Sequence, residues 1–239
     1  MKRALVTGGS GAIGSAICER LAADGSHVYV HAHGGKERAD AVVARIAAKG
    51  GSAETIIFDT TDAAAAETTL TAALQNGAIQ IVVNNAGIHD DAVMPGMKHD
   101  QWTRVIDVSL NGFFNVTQPL LMPMIGKRWG RVVNISSVAA ITGNRGQTNY
   151  AAAKAGLHGA TKSLSLELGS RGITVNTVAP GIIASPMSDG TFGKEMIDRL
   201  VPMKRAGKPE EVAALVAFLV SESAAYISGQ LISINGGMI

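Results

Sequence analysis

Short apolar runs rich in β-branched residues recur along the chain, each followed by a stretch of helical spacing. This alternation narrows the fold more than any other feature. Residues 3–7, 27–31, 55–58, 79–83, 131–135, 174–178 and 231–234 read as strands. Between them, 12–23, 37–49, a segment capped by Asp62 and running to Leu74, 101–127, 150–168 and 210–220 read as helices, the last with Pro209 in its first turn. Strands separated by helices cannot be hairpins, so they pair in parallel and are buried on both faces. No linker or repeat divides the series. One doubly wound α/β domain over 1–239 is expected, of Rossmann type, with a mostly parallel seven-stranded sheet and helices on both faces. Two stretches fit less well. Pro119 and Pro123 should break or bend the helix at 101–127, since neither supplies an N–H. Residues 186–202, with Met187, Ser188, Asp189, Gly190 and Met196, read as a substrate-side flap.

Composition excludes several classes. A single cysteine, Cys18, rules out an intramolecular disulfide and suits a reducing, cytoplasmic setting. With 17% charged and 46% hydrophobic residues the chain is not a disordered one. Lys and Arg total 21 against 19 Asp and Glu, which argues against nucleic-acid binding. The apolar start at 4–6 is too short for a signal peptide. The uncharged run 108–126 holds Asn111, Asn115, Gln118 and both prolines, so no membrane insertion is expected. Acids outnumber bases before residue 120 and bases outnumber acids after it, a mild lean of the second half toward an anionic partner.

The first strand ends in Thr7-Gly8-Gly9-Ser10-Gly11-Ala12-Ile13-Gly14. Glycines at a strand-to-helix turn let the backbone bend sharply and present bare N–H groups to an anion at the helix start. Gly9, Gly11 and Gly14 match the dinucleotide fingerprint, and Gly8, Ala12 and Gly14 offer a second frame. The end of the second strand should meet the adenosine ribose. No acid precedes Glu37 there, while His33, Lys36 and Arg38 are near, which favours a 2′-phosphorylated cofactor. His31 and His33 share a strand face, but no third ligand accompanies them and no metal site is expected.

Ser136-Ser137 follows the fifth strand, and Tyr150 and Lys154 stand four residues apart on one helix face. Carbonyl reduction needs a proton donor to the oxygen as hydride reaches carbon. Bringing a tyrosine pKa from about 10 to about 7 takes on the order of 4 kcal/mol, which a neighbouring ammonium and an oxidised nicotinamide would supply together. Ser137 is placed to hold the carbonyl oxygen.

These pieces together resemble the short-chain dehydrogenase/reductase family over essentially the whole chain. Thr7-Gly8-x-x-x-Ala12-x-Gly14 is similar to its cofactor turn, with Ala12 in place of the usual glycine; Asn84-Asn85-Ala86-Gly87 is similar to its fourth-strand motif, and Pro180-Gly181 to the motif placing the nicotinamide. The stretches 144–150, 170–176 and 235–238 resemble the branch that reduces 3-oxoacyl groups on acyl carrier protein. The resemblance implies NADPH/NADP+, a homotetramer, and catalysis by Ser137, Tyr150 and Lys154. It implies cofactor contacts from Gly8, Gly9, Ser10, Gly11, Ile13, Gly14, His33, Asp59, Thr60, Asn85, Ala86, Gly87, Tyr150, Lys154, Pro180, Gly181, Ile183 and Ser185. It also implies contacts to substrate or an acidic acyl carrier protein from Gln147, Arg128 and Arg171. One position departs: where the family carries a catalytic asparagine that holds a relay water, this chain has Ser109, read as a fourth catalytic residue, with the water kept either by its hydroxyl or by a neighbour. Asn111 lies roughly 200° further round an ideal helix and cannot stand in without a local bend. Reduction of acetoacetyl-CoA or another small ketone or sugar, and a non-catalytic nucleotide-binding role, are the competing readings.

Overall fold

A computed structural model describes residues 1–185 and 193–239. Its strands are β1 (Arg3–Val6), β2 (His27–Ala32), β3 (Ser52–Ile57), β4 (Ile81–Asn84), β5 (Gly130–Ile135), β6 (Ile173–Pro180) and β7 (Leu231–Ile234). They form one seven-stranded sheet in the order β3-β2-β1-β4-β5-β6-β7, every pairing parallel. The helices are α1 (Ala12–Ala23), α2 (Lys36–Ala48), α3 (Ala63–Leu74), α4 (His99–Ile106), α5 (Gly112–Lys127), the short α6 (Ala139–Thr142), α7 (Thr148–Leu168), α8 (Lys194–Leu200) and α9 (Pro209–Val220). The reversal of strand order between β1 and β4 makes the crevice where such sheets bind ligands.

Strand side chains alternate into two cores, as the two-residue period requires. Ala4, Val6, Val28, Val30, Ile81, Val83, Val133 and Ile135 join α1, α2 and α9 on one face. Leu5, Tyr29, Val82 and Val132 join α3 and α5 on the other. At the middle of the sheet the alternation gives way to a buried polar row. Asn84 is paired in register with Asn134 and Asn134 with Thr177. Asn84 Nδ2 donates to Asn134 Oδ1 (2.9 Å), Asn134 Nδ2 donates to Thr161 Oγ1 (2.8 Å), and Thr161 and Thr177 share a bond of 2.7 Å. These bonds offset the desolvation of the row and tie α7 to the sheet beneath it.

Several local expectations need adjustment. Pro119 and Pro123 lie inside α5 and do not end it. The interruption comes earlier, at a π-helical turn over Asp107–Asn111. A single wide turn there absorbs the extra residue, while each proline costs one N–H bond in a helix anchored by buried Val116, Leu120 and Met124. β3 starts three residues before the expected 55, because Ser52, Ala53 and Glu54 already pair with His27, Val28 and Tyr29. Asp62 does cap α3, its Oδ1 accepting from the Ala65 N–H at 3.0 Å. Of the expected flap, residues 186–192 lie outside the described residues, and 194–200 form α8.

Candidate active site

The glycine turn is held from three sides. Thr7, buried at the end of β1, accepts at Oγ1 from the N–H groups of Asn85 (2.9 Å) and Ala86 (3.0 Å). Asn85 Nδ2 donates to the carbonyls of Thr7 (2.9 Å) and Gly8 (3.1 Å). The motif after β4 is thus the clamp of the turn after β1. Gly14 must be glycine, since a Cβ there would stand 2.2 Å from the Gly8 carbonyl oxygen. Gly8 itself has φ +62°.

The third support is His31, which the sequence marks only as a conceivable metal ligand. Its ring is buried, Nδ1 accepting from the Gly8 N–H (3.1 Å) and Nε2 donating to the Phe58 carbonyl (2.9 Å). Both nitrogens are used, so the tautomer is set by the partners and no lone pair remains for a metal. Burial pushes its pKa down to about 4, which keeps the ring neutral. Among the described residues no group of three His, Cys, Asp or Glu is arranged to hold a metal ion. Cys18 packs below Gly9, its thiol pushed up by burial and therefore unreactive.

The catalytic candidates meet at the C-terminal edge of β4 and β5. Ser137 follows β5, and its Oγ accepts from the Ala139 N–H at 3.2 Å. Tyr150 and Lys154 lie in the first turns of α7. The start of that helix is fixed by buried Asn149, which donates to the carbonyls of Asp90 and Gln101, both at 2.9 Å, and accepts from the Tyr150 N–H at 2.8 Å. Lys154 is buried, donates from Nζ to the Ile135 carbonyl (2.9 Å), and lies 5.9 Å from the Tyr150 ring centre. Burial pushes its pKa down to about 8.

In the protein without cofactor the phenol pKa is raised, not lowered. Burial raises it; the Ser137 hydroxyl pulls it down, and the Asp91 carboxylate adds a further upward push. Lys154 is not among the groups that move it, for its ammonium is itself desolvated and turned toward a carbonyl. In the protein alone Tyr150 is a protonated phenol.

Gly87 gives Lys154 its room: a Cβ there would lie 2.8 Å from Lys154 Nζ and 3.6 Å from Ser109 Oγ. Ser109 is buried in the π turn, and its hydroxyl has no hydrogen-bond partner among the described residues. Asn111 is on the other side, exposed and donating to Asp107 Oδ1 at 2.7 Å, so the bend does not bring it to Lys154.

The remaining expected residues separate into groups. Thr60 is buried against Gly112 and its carbonyl accepts from Asn115 Nδ2 (2.9 Å). Asp59 accepts from Thr61 and lies 3.4 Å from His33 Nδ1. Ser10, Gly11 and Ile13 line the turn and the start of α1. Pro180 ends β6; Gly181 packs on Asn235, Ile183 bridges to Gly207, and Ser185 adjoins Ala184 near Ala12 and Ser15. Gln147 is engaged on the rim, donating to Asp91 Oδ2 (2.8 Å) and accepting from Asn144 (2.9 Å). Arg128 and Arg171 do not join the site. They sit before β5 and β6, with Arg128 donating to the Ser170 carbonyl at 3.1 Å, one strand length, about 20 Å, from Ser137.

Two features escaped the sequence reading: the turn-holding role of His31, and Asp91, which binds Gln147 and His89 (3.2 Å) beside Tyr150. The adjacent acids Asp90 and Asp91, shortly after Gly87, were the available signal for the second.

A family model described as enoyl-(acyl carrier protein) reductase matches residues 8–239. The chain belongs to the short-chain dehydrogenase/reductase family. It is 45% identical over 240 residues to a Staphylococcus aureus protein named 3-oxoacyl-[acyl-carrier-protein] reductase, covering 99% of this chain and 98% of that one. Proteins of the same name from Aggregatibacter actinomycetemcomitans (44%, 98% of each chain) and Synechocystis (44%, 99% and 96%) are similarly close.

Proposed function

We propose that this chain reduces 3-oxoacyl groups on acyl carrier protein to 3-hydroxyacyl groups, with NADPH as reductant. The observation that carries the reading is the convergence of a protonated Tyr150, the Ser137 hydroxyl and a buried Lys154 beside the clamped glycine turn. That set suits an oxygen that gains negative charge and then a proton. The relatives named above support the acyl-carrier substrate. The family model is described by the enoyl step instead. The near full-length relatives named for the ketone step outweigh that broader description, and the neighbouring Ser137 and Tyr150 hydroxyls suit a ketone oxygen.

NADPH, when bound, supplies the hydride for carbon 3 of the acyl group. The residues present fit it: bare N–H groups at the turn before α1 would hold the pyrophosphate, and Gly87, Pro180, Gly181 and Lys154 would hold the nicotinamide ribose. Ser137 orients the ketone oxygen, Tyr150 gives it a proton, and Lys154 restores charge balance at the phenol. Asp59, Thr60, Ile183 and Ser185 complete the cofactor groove. Arg128 and Arg171 meet the acidic carrier, governing docking and not chemistry. Exposed Phe114, Met122 and Leu166 on α5 and α7, with Phe218 and Leu231 on α9 and β7, suit burial in a homotetramer. No helix among the described residues is long and apolar enough to cross a membrane, and the proposed setting is the cytoplasm.

NADPH consumption by the purified chain tests the reading, with acetoacetyl-carrier protein, acetoacetyl-CoA, a free β-keto ester and crotonyl-carrier protein offered in parallel. The expected order places the carrier-linked ketone first in kcat/KM and gives no turnover of the crotonyl thioester. Preference for the free ketone, or reduction of the crotonyl substrate alone, would overturn it.

A further inference from the structure

The loop after β4 grips the segment leading into α7 through three consecutive residues. The Asp90 carbonyl accepts from Asn149 Nδ2 at 2.9 Å, Asp91 Oδ2 accepts from Gln147 Nε2 at 2.8 Å, and the Ala92 N–H donates to the Gly146 carbonyl at 2.9 Å. Gly146 permits the approach: it holds φ +85°, and a Cβ there would stand 3.9 Å from the Ala92 carbonyl carbon. The two carboxylates point to different partners. Asp90 serves α4, accepting from Gln101 Nε2 at 2.6 Å and lying 3.7 Å from Arg104. Asp91 serves the site: Gln147 donates to it, His89 Nδ1 stands 3.2 Å away, and its charge reaches Tyr150. The charged and titratable groups around Asp91 are therefore His89 and Asp90 on its own loop, Arg104 on α4, Tyr150 on α7, and exposed Arg145 on the facing loop.

We propose that Asp91 is a positioning residue for the reduction: it holds Gln147 at the mouth of the site and sets a negative charge within reach of Tyr150. The inference rests on the reading of Tyr150 as proton donor. The carboxylate has two effects of separate origin. As an acceptor it fixes the Gln147 carboxamide, whose oxygen is held in turn by Asn144 Nδ2 at 2.9 Å, so both ends of the amide are tied at the rim. As an anion it opposes a phenolate at Tyr150 and so favours the protonated form that reduction needs. Asparagine at 91 would keep the acceptor and lose the charge. Alanine would lose both.

The test compares Asp91→Asn, Asp91→Ala and Gln147→Ala. Phenol ionisation is read by ultraviolet difference titration of the NADP+ complex, with Tyr150→Phe as the blank so that Tyr29 and Tyr226 cancel. Both Asp91 variants should ionise at lower pH than the unmodified chain, by about half a pH unit, the scale that solvent screening leaves to a half-exposed charge. Gln147→Ala should ionise where the unmodified chain does. The rising limb of kcat/KM for oxidation of 3-hydroxybutyryl-carrier protein, in which the phenol must first lose its proton, should move with the titration. KM for acetoacetyl-carrier protein should rise about threefold or more in Asp91→Ala and Gln147→Ala, the scale of one hydrogen bond, and stay within about twofold in Asp91→Asn. Unchanged ionisation in Asp91→Asn, or an equal shift in Gln147→Ala, would overturn the role of the charge. An unchanged KM in Asp91→Ala would overturn the hold on Gln147. If the unmodified chain does not turn over the carrier-linked ketone, the proposed function fails, and the titration still decides the role of Asp91.

Discussion

Lys154 Nζ donates to the carbonyl of Ile135 at 2.9 Å, at the C-terminal edge of β5, so the ammonium is held by backbone and not by a carboxylate. With no carboxylate paired to it among the described residues, burial sets its pKa, down to about 8. The sign follows directly: the charged form is present below about pH 8 and is lost as pH rises through it. If the ammonium serves the nicotinamide ribose and the phenol as proposed, kcat/KM for NADPH-dependent reduction should be level below about pH 8 and fall above it. Lys154→Met should remove that limb, along with most activity. A profile that stays level to the tyrosine range would show that Lys154 is not the titrating group.

Ser109 breaks the pattern its neighbours keep. Its buried hydroxyl, without a partner among the described residues, and Lys154 Nζ both lie within 4 Å of the Cβ position that Gly87 leaves empty. A buried polar group without a protein partner is a natural place for an ordered water, and the wide turn at Asp107–Asn111 frees backbone carbonyls to hold it as well. Ser109→Ala should therefore lower turnover by less than about tenfold, with the water retained in a crystal structure of the cofactor complex. A loss beyond a hundredfold would assign the relay to the hydroxyl, and a dry site beside Lys154 would remove the relay.

His31 links the cofactor turn to proton uptake. Its folded pKa, about 4, is below the usual value of 6.5, so the unfolded chain takes up a proton first as pH falls. Stability from this group is complete above pH 6.5 and declines as pH falls toward 4, by about 3 kcal/mol in all. Urea unfolding of the unmodified chain and of His31→Gln across that range should show a steeper loss in the former. Parallel slopes would mean that the ring is not held neutral by its place in the fold.

Arg128 and Arg171 lie across the sheet from Tyr150, which makes their role separable from the chemistry. The double change to alanine should raise KM for carrier-linked substrate, flatten its dependence on salt, and leave a short CoA thioester nearly unaffected. Equal losses on both substrates would point to damage at the site instead.

What the sequence made legible was local. The glycine turn and the Tyr150–Lys154 spacing each depend on residues within one turn of chain, and both stand in the structure as expected. Asp62 and Pro209 marked helix starts for the same reason. The misreadings all involved distant partners. That Pro119 and Pro123 do not break α5 was hidden because the buried face that holds the helix together is supplied by other elements. The start of β3 was hidden because Ser52 to Glu54 become a strand through pairing with β2, not through apolar character. The turn-holding role of His31 was hidden because its partners, Gly8 and Phe58, are brought to it only by the sheet.

The account turns on Tyr150 as the proton donor, and the most direct measurement is the turnover of Tyr150→Phe with acetoacetyl-carrier protein and NADPH. The substitution removes one hydroxyl and almost no volume, so folding and 2′,5′-ADP affinity should be unchanged. Turnover should fall by about a hundredfold or more, the usual scale for loss of a general acid. Turnover within a few fold of the unmodified chain would contradict the assignment and send the proton's source elsewhere in the site.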